Sequence, residues 1–158
     1  MLPTVYIETT IPSYNTGWLS RDLIRAGHQM ITRDWWRRRR CDFDLRVSQF
    51  VLDEAADADS TVSAERLSSL AGIEILHVTE QAEMLASELE ISLSLPKKAL
   101  LDAAHISIAA CHKMDFLLTW NCRHINNAQR IPIIEKTCRS FGVSCPVICT
   151  PEELMGYE

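Results

Sequence analysis

The stretch Leu101-Asp102-Ala103-Ala104-His105-Ile106-Ser107-Ile108-Ala109-Ala110, followed by Asp115-Phe116-Leu117-Leu118-Thr119-Trp120-Asn121, decides how the chain is read. Its first part is apolar nearly all round a helix, with Leu100, Leu101, Ala103, Ala104, Ile106 and Ile108, yet carries a carboxylate at Asp102 near its start. An acid in such surroundings needs a partner, and a metal ion is a common one. Its second part is a short apolar run that breaks off on Thr119 and Asn121. The chain opens in the same way, since Val5-Tyr6-Ile7-Glu8-Thr9-Thr10 is an apolar strand ending on a carboxylate and hydroxyls. Two such endings point to one shared site.

Working outward, short apolar runs at 4–8, 44–49, 73–77, 116–120 and 146–149 read as strands, several without strict alternation, as expected where helices cover both faces. The segments between them read as helices. The first starts at the N-cap Ser20, with Asp22 in its first turn, repeats Leu23, Ile24, Gly27, Met30, Ile31 and Trp35 at helical spacing, and ends on Arg37-Arg38-Arg39-Arg40. A second begins near Val51 and carries Glu54; Asp59-Ser60-Thr61 breaks it before a further helix that stops at Gly72. Thr79 caps a helix through about Ile91, Pro96 separates it from the Asp102 helix, and the last long helix runs from Pro132 to Ser140 before Gly142. The tail Pro151-Glu152-Glu153-Leu154 reads as a short terminal helix with proline first. Alternating strands and helices predict an α/β, three-layer α/β/α domain with a mainly parallel five-stranded sheet. Sites on such sheets lie at the carboxyl ends of strands, where Glu8 and Asn121 stand.

A chain of 158 residues suits a single domain over 1–158, large enough to bury about two thirds of its unfolded surface. Apolar residues make up 47% and no apolar run reaches the roughly 20 residues of a membrane span, so a soluble protein with no membrane partner is expected. The opening residues lack a basic segment followed by an apolar core, which points to a cytoplasmic location. Six cysteines at 41, 111, 122, 138, 145 and 149 form no CxxC pair and read as reduced core thiols. A zinc set of Cys111, His112, Cys122 and His124 is disfavoured, because adjacent Cys and His on one helix do not both aim inward easily. A net charge of −5 argues against a surface built for tight nucleic-acid binding overall, although a local basic patch can still meet phosphates.

Glu8 follows the first strand, Glu54 lies after the second, Asp102 is early on the helix before the fourth, and Asn121 closes that strand. Three carboxylates in one cleft repel each other unless a cation offsets them, and hard oxygen donors select Mg²⁺ or Mn²⁺ over zinc. Such an ion polarises a phosphodiester oxygen and lowers the pKa of bound water, which lets an acidic cluster cut a polyanion. A hydrolase or phosphotransferase of another kind lacks its GxSxG, GxxxxGK or GxGxxG motif here.

These segments resemble the PIN-domain nucleases, and among them the VapC-type toxins of bacterial toxin–antitoxin pairs. The resemblance covers nearly the whole chain and rests on Tyr6-Ile7-Glu8-Thr9-Thr10, on Ser48-Gln49-Phe50-Val51-Leu52-Asp53-Glu54, on Leu101-Asp102-Ala103-Ala104-His105, and on Leu118-Thr119-Trp120-Asn121-Cys122-Arg123-His124-Ile125. It implies a metal-dependent endoribonuclease acting on RNA, a homodimer, and inhibition by a small cognate antitoxin protein. Glu54 and Asp102 match the family's second and third acids; Glu8 replaces an aspartate, and Asn121 stands where many relatives carry an acid, with His124 also not acidic. The implied catalytic set is Glu8, Glu54, Asp102 and Asn121, with Glu8, Glu54 and Asp102 holding Mg²⁺ or Mn²⁺. Three formal charges hold a hard ion less well than four, so weak or substrate-dependent metal binding is expected. The alternative is a weak or inactive PIN domain that binds RNA or protein.

Plainer roles compete at several of these positions. Glu8 can cap the following segment, and Glu54, among Asp53, Asp57 and Asp59, reads on its own as a solvated face residue that only the resemblance selects. His105 lies one turn beyond Asp102, either packed and satisfied or orienting a carboxylate, and Thr119 either packs or offers its hydroxyl to the site. The arginine run beside Trp35 and Trp36 either meets RNA or is a solvated helix end.

Overall fold

The structure, a computed structural model, describes residues 1–156. Five strands, β1 (Thr4–Ile7), β2 (Asp44–Ser48), β3 (Glu74–Leu76), β4 (Phe116–Leu118) and β5 (Val147–Cys149), form one sheet in the order β3-β2-β1-β4-β5. Every pairing is parallel, with Tyr6 opposite Arg46 on one side and Leu117 on the other. Successive strand residues point to opposite faces, and Val5, Tyr6 and Ile7 are all fully buried, so both faces of the central strand are covered. Burying each such aliphatic side chain contributes about 1.5–3 kcal/mol.

Seven α-helices supply the cover among the described residues: α1 (Thr10–Asn15), α2 (Leu23–Arg38), α3 (Gln49–Ala56), α4 (Ser60–Ser69), α5 (Glu80–Ser92), α6 (Leu100–Cys111) and α7 (Ile131–Ser140). They pack in two groups, α1 against α2 and α4 with α3 on α4, and α5 against α6 and α7. The predicted caps Asp59 and Thr79 accept from backbone N–H groups at the starts of α4 and α5.

Four expectations change. Helix α2 starts at Leu23 rather than after Ser20, because the Asp22 carboxylate accepts from Arg25 N at 2.8 Å while Ser20 is drawn into the loop, its N–H on Gln29 Oε1. It ends at Arg38, where a 3-10 turn (Arg40–Asp42) takes over. Helix α1 was not foreseen: six residues are too few to show a period, and Pro12 is tolerated because N–H groups in a first turn have no helical partner. The tail makes one turn and no helix, closed by Leu154 N on Thr150 O at 3.1 Å. Gly156, beyond this turn, has φ +70°, and a Cβ there would lie 3.1 Å from the Arg39 guanidinium. Finally, Cys138 and Cys149 are buried thiols, but Cys41 and Cys122 are exposed, so the core reading fails for those two.

Candidate active site

The chain moves from β1 out to β3 on one side and then crosses to β4 on the other, so the order reverses between β1 and β4. Crevices at such a reversal, at the carboxyl ends of the strands, are where open parallel sheets bind ligands. Glu8 directly follows β1, Thr119 to Asn121 follow β4, Ser48 ends β2, and Asp102 is in the first turn of α6.

Glu8 is buried and firmly held. Its Oε2 accepts from Thr10 N at 3.0 Å, Thr10 Oγ1 at 2.5 Å and Thr119 Oγ1 at 2.7 Å. The capping role is therefore real, since Thr10 opens α1, yet it occupies only one oxygen. Thr10 Oγ1 in turn accepts from Trp120 N at 2.8 Å, which stitches the ends of β1 and β4 together.

Glu54 is held from below. Its Oε1 accepts from Thr9 Oγ1 at 2.8 Å and from His105 Nε2 at 2.6 Å. His105 is fully buried, and its Nδ1 shares a 2.7 Å hydrogen bond with Tyr6 OH, which makes another of 2.7 Å with Ser48 Oγ. Burial pushes the Glu54 pKa up, but the His105 hydrogen bond, the imidazole charge and the Thr9 hydroxyl outweigh it and bring the carboxyl below its ordinary range. Burial pulls His105 down; the Glu54 hydrogen bond and the charges of Glu8, Glu54 and Asp102 more than reverse this, so its pKa is raised.

Asp102 shows the opposite balance. A first-turn carboxylate is favoured by its helix N-terminus, which lowers its pKa, yet it is pushed up to about 6. Burial is the main cause, the charges of Glu8 and Glu54 add to it, and a hydrogen bond from Asn121 and the charge of His105 only partly offset them. Asp102 thus senses both other acids. Asn121 Oδ1 accepts from His124 N at 2.9 Å, and the Asn121 amide acts on Asp102 only by lowering its pKa. The amide oxygen expected to stand in for an acid is taken up by backbone.

The donor chemistry fits a hard divalent ion. All three acids present oxygen, and one oxygen each of Glu8 and Glu54 carries no hydrogen bond. No three His, Cys, Asp or Glu groups among the described residues stand close enough to enclose an ion alone. The three acids as they stand therefore form no ready-made ion cage, and the expected three-carboxylate metal set is not met by their side chains alone.

The site thus sets Glu8 and Glu54 within electrostatic reach of Asp102, with Asn121 beside Asp102, and gives His105 and Thr119 the orienting roles that competed with packing. The hydroxyls of Thr9 and Thr10 at the strand end do belong to the site, whereas Tyr6 and Ser48 are found only in the structure; a tyrosine in the central strand, whose hydroxyl must find a partner when buried, is the signal for them. The arginine run lies elsewhere in its chemistry: Arg37 and Arg38 pair with Asp34, Arg39 with Asp42, and Arg40 covers Trp36. Trp35 is a core residue stacked on Phe43, unavailable to any base.

The backbone path is similar to that of a chain in the crystal structure of VapBC2 from Rickettsia felis bound to a DNA fragment from their promoter. The TM-score is 0.54 at 14% identity, over 93% of this chain and 98% of that one. No protein-family model matches the chain, and no curated protein does. No helix among the described residues is long and apolar enough to cross a membrane. Five parallel strands in the order β3-β2-β1-β4-β5, with helices on both faces and this structural likeness, give the chain a PIN-like fold.

Proposed function

We propose that the protein is a metal-dependent endoribonuclease of the VapC type, the toxin of a type II pair, acting from the crevice between β1 and β4. The observation that carries this reading is Asp102, an acid pushed to about 6 by burial and by Glu8 and Glu54, at the strand-order reversal of a fold shared with a chain of the VapBC2 complex. Glu8, Glu54 and Asp102 are the residues that would hold a Mg²⁺ or Mn²⁺ ion, which when bound would supply polarisation of a phosphodiester oxygen and activation of water.

The chain's own residues prepare that position. Thr10 and Thr119 fix Glu8, and Thr9 and His105 fix Glu54, so their oxygens do not have to be organised when substrate arrives. Asp102 carries a proton below about pH 6, and a cation competes with that proton. Metal affinity therefore rises as pH increases through this range.

Partners follow from the same reading. A homodimer and a small antitoxin need apolar surface to cover, and Trp18, Leu19, Leu23 and Ile24 expose one around the start of α2, with Trp18 at 96%. The test is cleavage of single-stranded RNA by purified protein with Mn²⁺ or with chelator. Metal-dependent cleavage lost in Asp102→Asn supports the reading; cation binding and RNA binding without cleavage favours a binding module.

A further inference from the structure

The two ends of the short helix α1 carry different chemistry. Its start meets the acids, where Thr10 Oγ1 donates to Glu8 Oε2 and the preceding Thr9 Oγ1 to Glu54 Oε1. Its far end opens on a cavity of about 300 Å³ between α1, the start of α2 and α4, whose lining includes Ser13, Thr16, Ser20, Arg25, Gln29 and Arg66. Six helical residues rise about 9 Å, so the cavity stands one short helix away from the acids. Two chains of contact make that connection. Arg66 Nη2 donates to Ser13 Oγ at 3.2 Å, and Ser13 N donates at 3.3 Å to the carbonyl of Thr9, whose hydroxyl holds Glu54. The Arg25 guanidinium lies 5.2 Å from the centre of the Tyr14 ring, Tyr14 is nearly parallel to Trp120 at 6.4 Å, and Trp120 N donates to Thr10 Oγ1 beside Glu8.

Neither cation of the cavity has a carboxylate to answer it. Among the described residues Arg37, Arg38, Arg39 and Arg46 make ion pairs, whereas Arg25 and Arg66 make none. No acid lines the cavity, and the two acids nearest these arginines in sequence are engaged by backbone: Asp22 accepts from Arg25 N at 2.8 Å and Glu65 from Gly17 N at 3.1 Å. Arg66 Nε is buried without an acceptor, so the fold holds this guanidinium without satisfying it. The facing loop is fixed in advance. Buried Gln29 accepts from Ser20 N at 2.7 Å and donates to Trp18 O at 3.1 Å, while Arg33 Nη2 donates to the carbonyls of Thr16 and Gly17. Two unpaired guanidinium forks and a serine hydroxyl around a preformed space match the several acceptor oxygens of a phosphate. Its place at the far end of α1 suits a strand that has one phosphate at the acids and another further along.

We propose that Arg25 and Arg66, with the Ser13 hydroxyl, form a subsite that holds a phosphate of single-stranded RNA flanking the one at the acids. The subsite takes its ligand from the ribonuclease reading, but its test does not depend on cleavage.

The experiment measures equilibrium binding of a fluorescein-labelled 20-nucleotide oligouridylate in EDTA, across 50 to 200 mM salt, for the wild type, Arg25→Gln, Arg25→Gln/Arg66→Gln and Arg37→Gln/Arg38→Gln. Urea midpoints verify folding, and Arg25 is exposed, so its single variant carries the test even if loss of the Arg66 bond to Ser13 unfolds the double one. Each lost phosphate contact on a single strand flattens the slope of log affinity against log salt by about 0.7. Arg25→Gln is therefore expected to flatten it by about 0.7 and the double variant by about 1.4, with affinity of the latter at 100 mM salt falling about tenfold or more, and the Arg37/Arg38 pair to leave it unchanged. In nitrogen-edited spectra of the wild type, oligouridylate should also shift the Arg66 Nε–H resonance. Equal slopes in the wild type and the Arg25 variants overturn the proposal. So does an Arg66 resonance that moves with inorganic phosphate or a polyglutamate peptide but not with oligouridylate, which assigns the cavity to a free anion or an acidic protein. Flattened slopes in a protein that never cleaves RNA in Mn²⁺ leave the subsite standing and remove the nuclease, whereas Mn²⁺-dependent cleavage with equal slopes does the reverse.

Discussion

Replacing Asp102 by asparagine changes one charge and almost no volume, which makes it a clean probe of the acid cluster. The folded pKa is about 6 against an ordinary 3.8, so folding raises this group's proton affinity. The sign follows from that direction. The folded protein binds the Asp102 proton more tightly than the unfolded chain does, so its contribution to stability is fully present below about pH 4 and is lost as pH rises through 6. The rise from 3.8 to about 6 sets the cost of ionising Asp102 at neutral pH at about 3 kcal/mol. An asparagine keeps a carbonyl to accept from the Asn121 amide and removes the repulsion from Glu8 and Glu54. Asp102→Asn is therefore expected to be more stable than wild type by up to about 3 kcal/mol at pH 7.5, and by nearly nothing at pH 4. Urea unfolding of both proteins at the two pH values reads this directly. A saturating divalent ion should restore the wild type toward the variant, because an ion at 100 times its Kd adds about 2.7 kcal/mol to the state that binds it. An equal gain at both pH values, or a destabilised asparagine variant, would refute the argument that the three acids share one field.

Further expectations concern the groups around it. Tyr6→Phe leaves the His105 Nδ1 and Ser48 hydroxyl without their buried partner and should cost about 1–3 kcal/mol in urea unfolding, with a shift in His105 ring nitrogen resonances; unchanged resonances would detach Tyr6 from His105. Stability should peak in mildly acid solution: the His105 contribution fades as pH rises through its raised pKa, the Glu54 contribution fades as pH falls through its lowered one, and Asp102 costs most above 6. A urea midpoint that rises steadily from pH 5 to 8 would contradict this. Asn121→Asp keeps the acceptor for His124 N but trades the donor to Asp102 for a charge, so calorimetry should find tighter Mn²⁺ binding and urea a less stable metal-free protein. Leu117→Ala, a fully buried position at the centre of β4, should cost about 2–5 kcal/mol without altering Mn²⁺ affinity in the fraction that remains folded.

The sheet was legible because each strand is a short apolar run with helical spacing on either side, and because Glu8 and Asn121 break two of those runs at their ends. Caps such as Asp59 and Thr79 were legible for the same local reason. What escaped was set by contacts distant in sequence. Nothing near Tyr6 announces that its hydroxyl meets His105, 99 positions away, or that His105 then meets Glu54. Glu54 on its own read as a solvated acid because its neighbours are acidic; only the fold turns it toward His105 and Thr9. The arginine run misleads in the other direction, since four consecutive cations look like a nucleic-acid surface until Asp34 and Asp42 are seen beside them. The short α1 was invisible because its stability comes from the Glu8 and Thr10 contacts rather than from any pattern of its own.

The central claim is that Glu8, Glu54 and Asp102 jointly hold a hard cation that cuts RNA. Isothermal titration of Mn²⁺ into wild type and Asp102→Asn without RNA, at pH 7.5, tests it at the metal itself. The account predicts one ion bound per chain by the wild type, at least tenfold weaker binding in the variant, and release of fewer protons by the variant on binding. Identical Mn²⁺ affinity and proton release in the two proteins would contradict it.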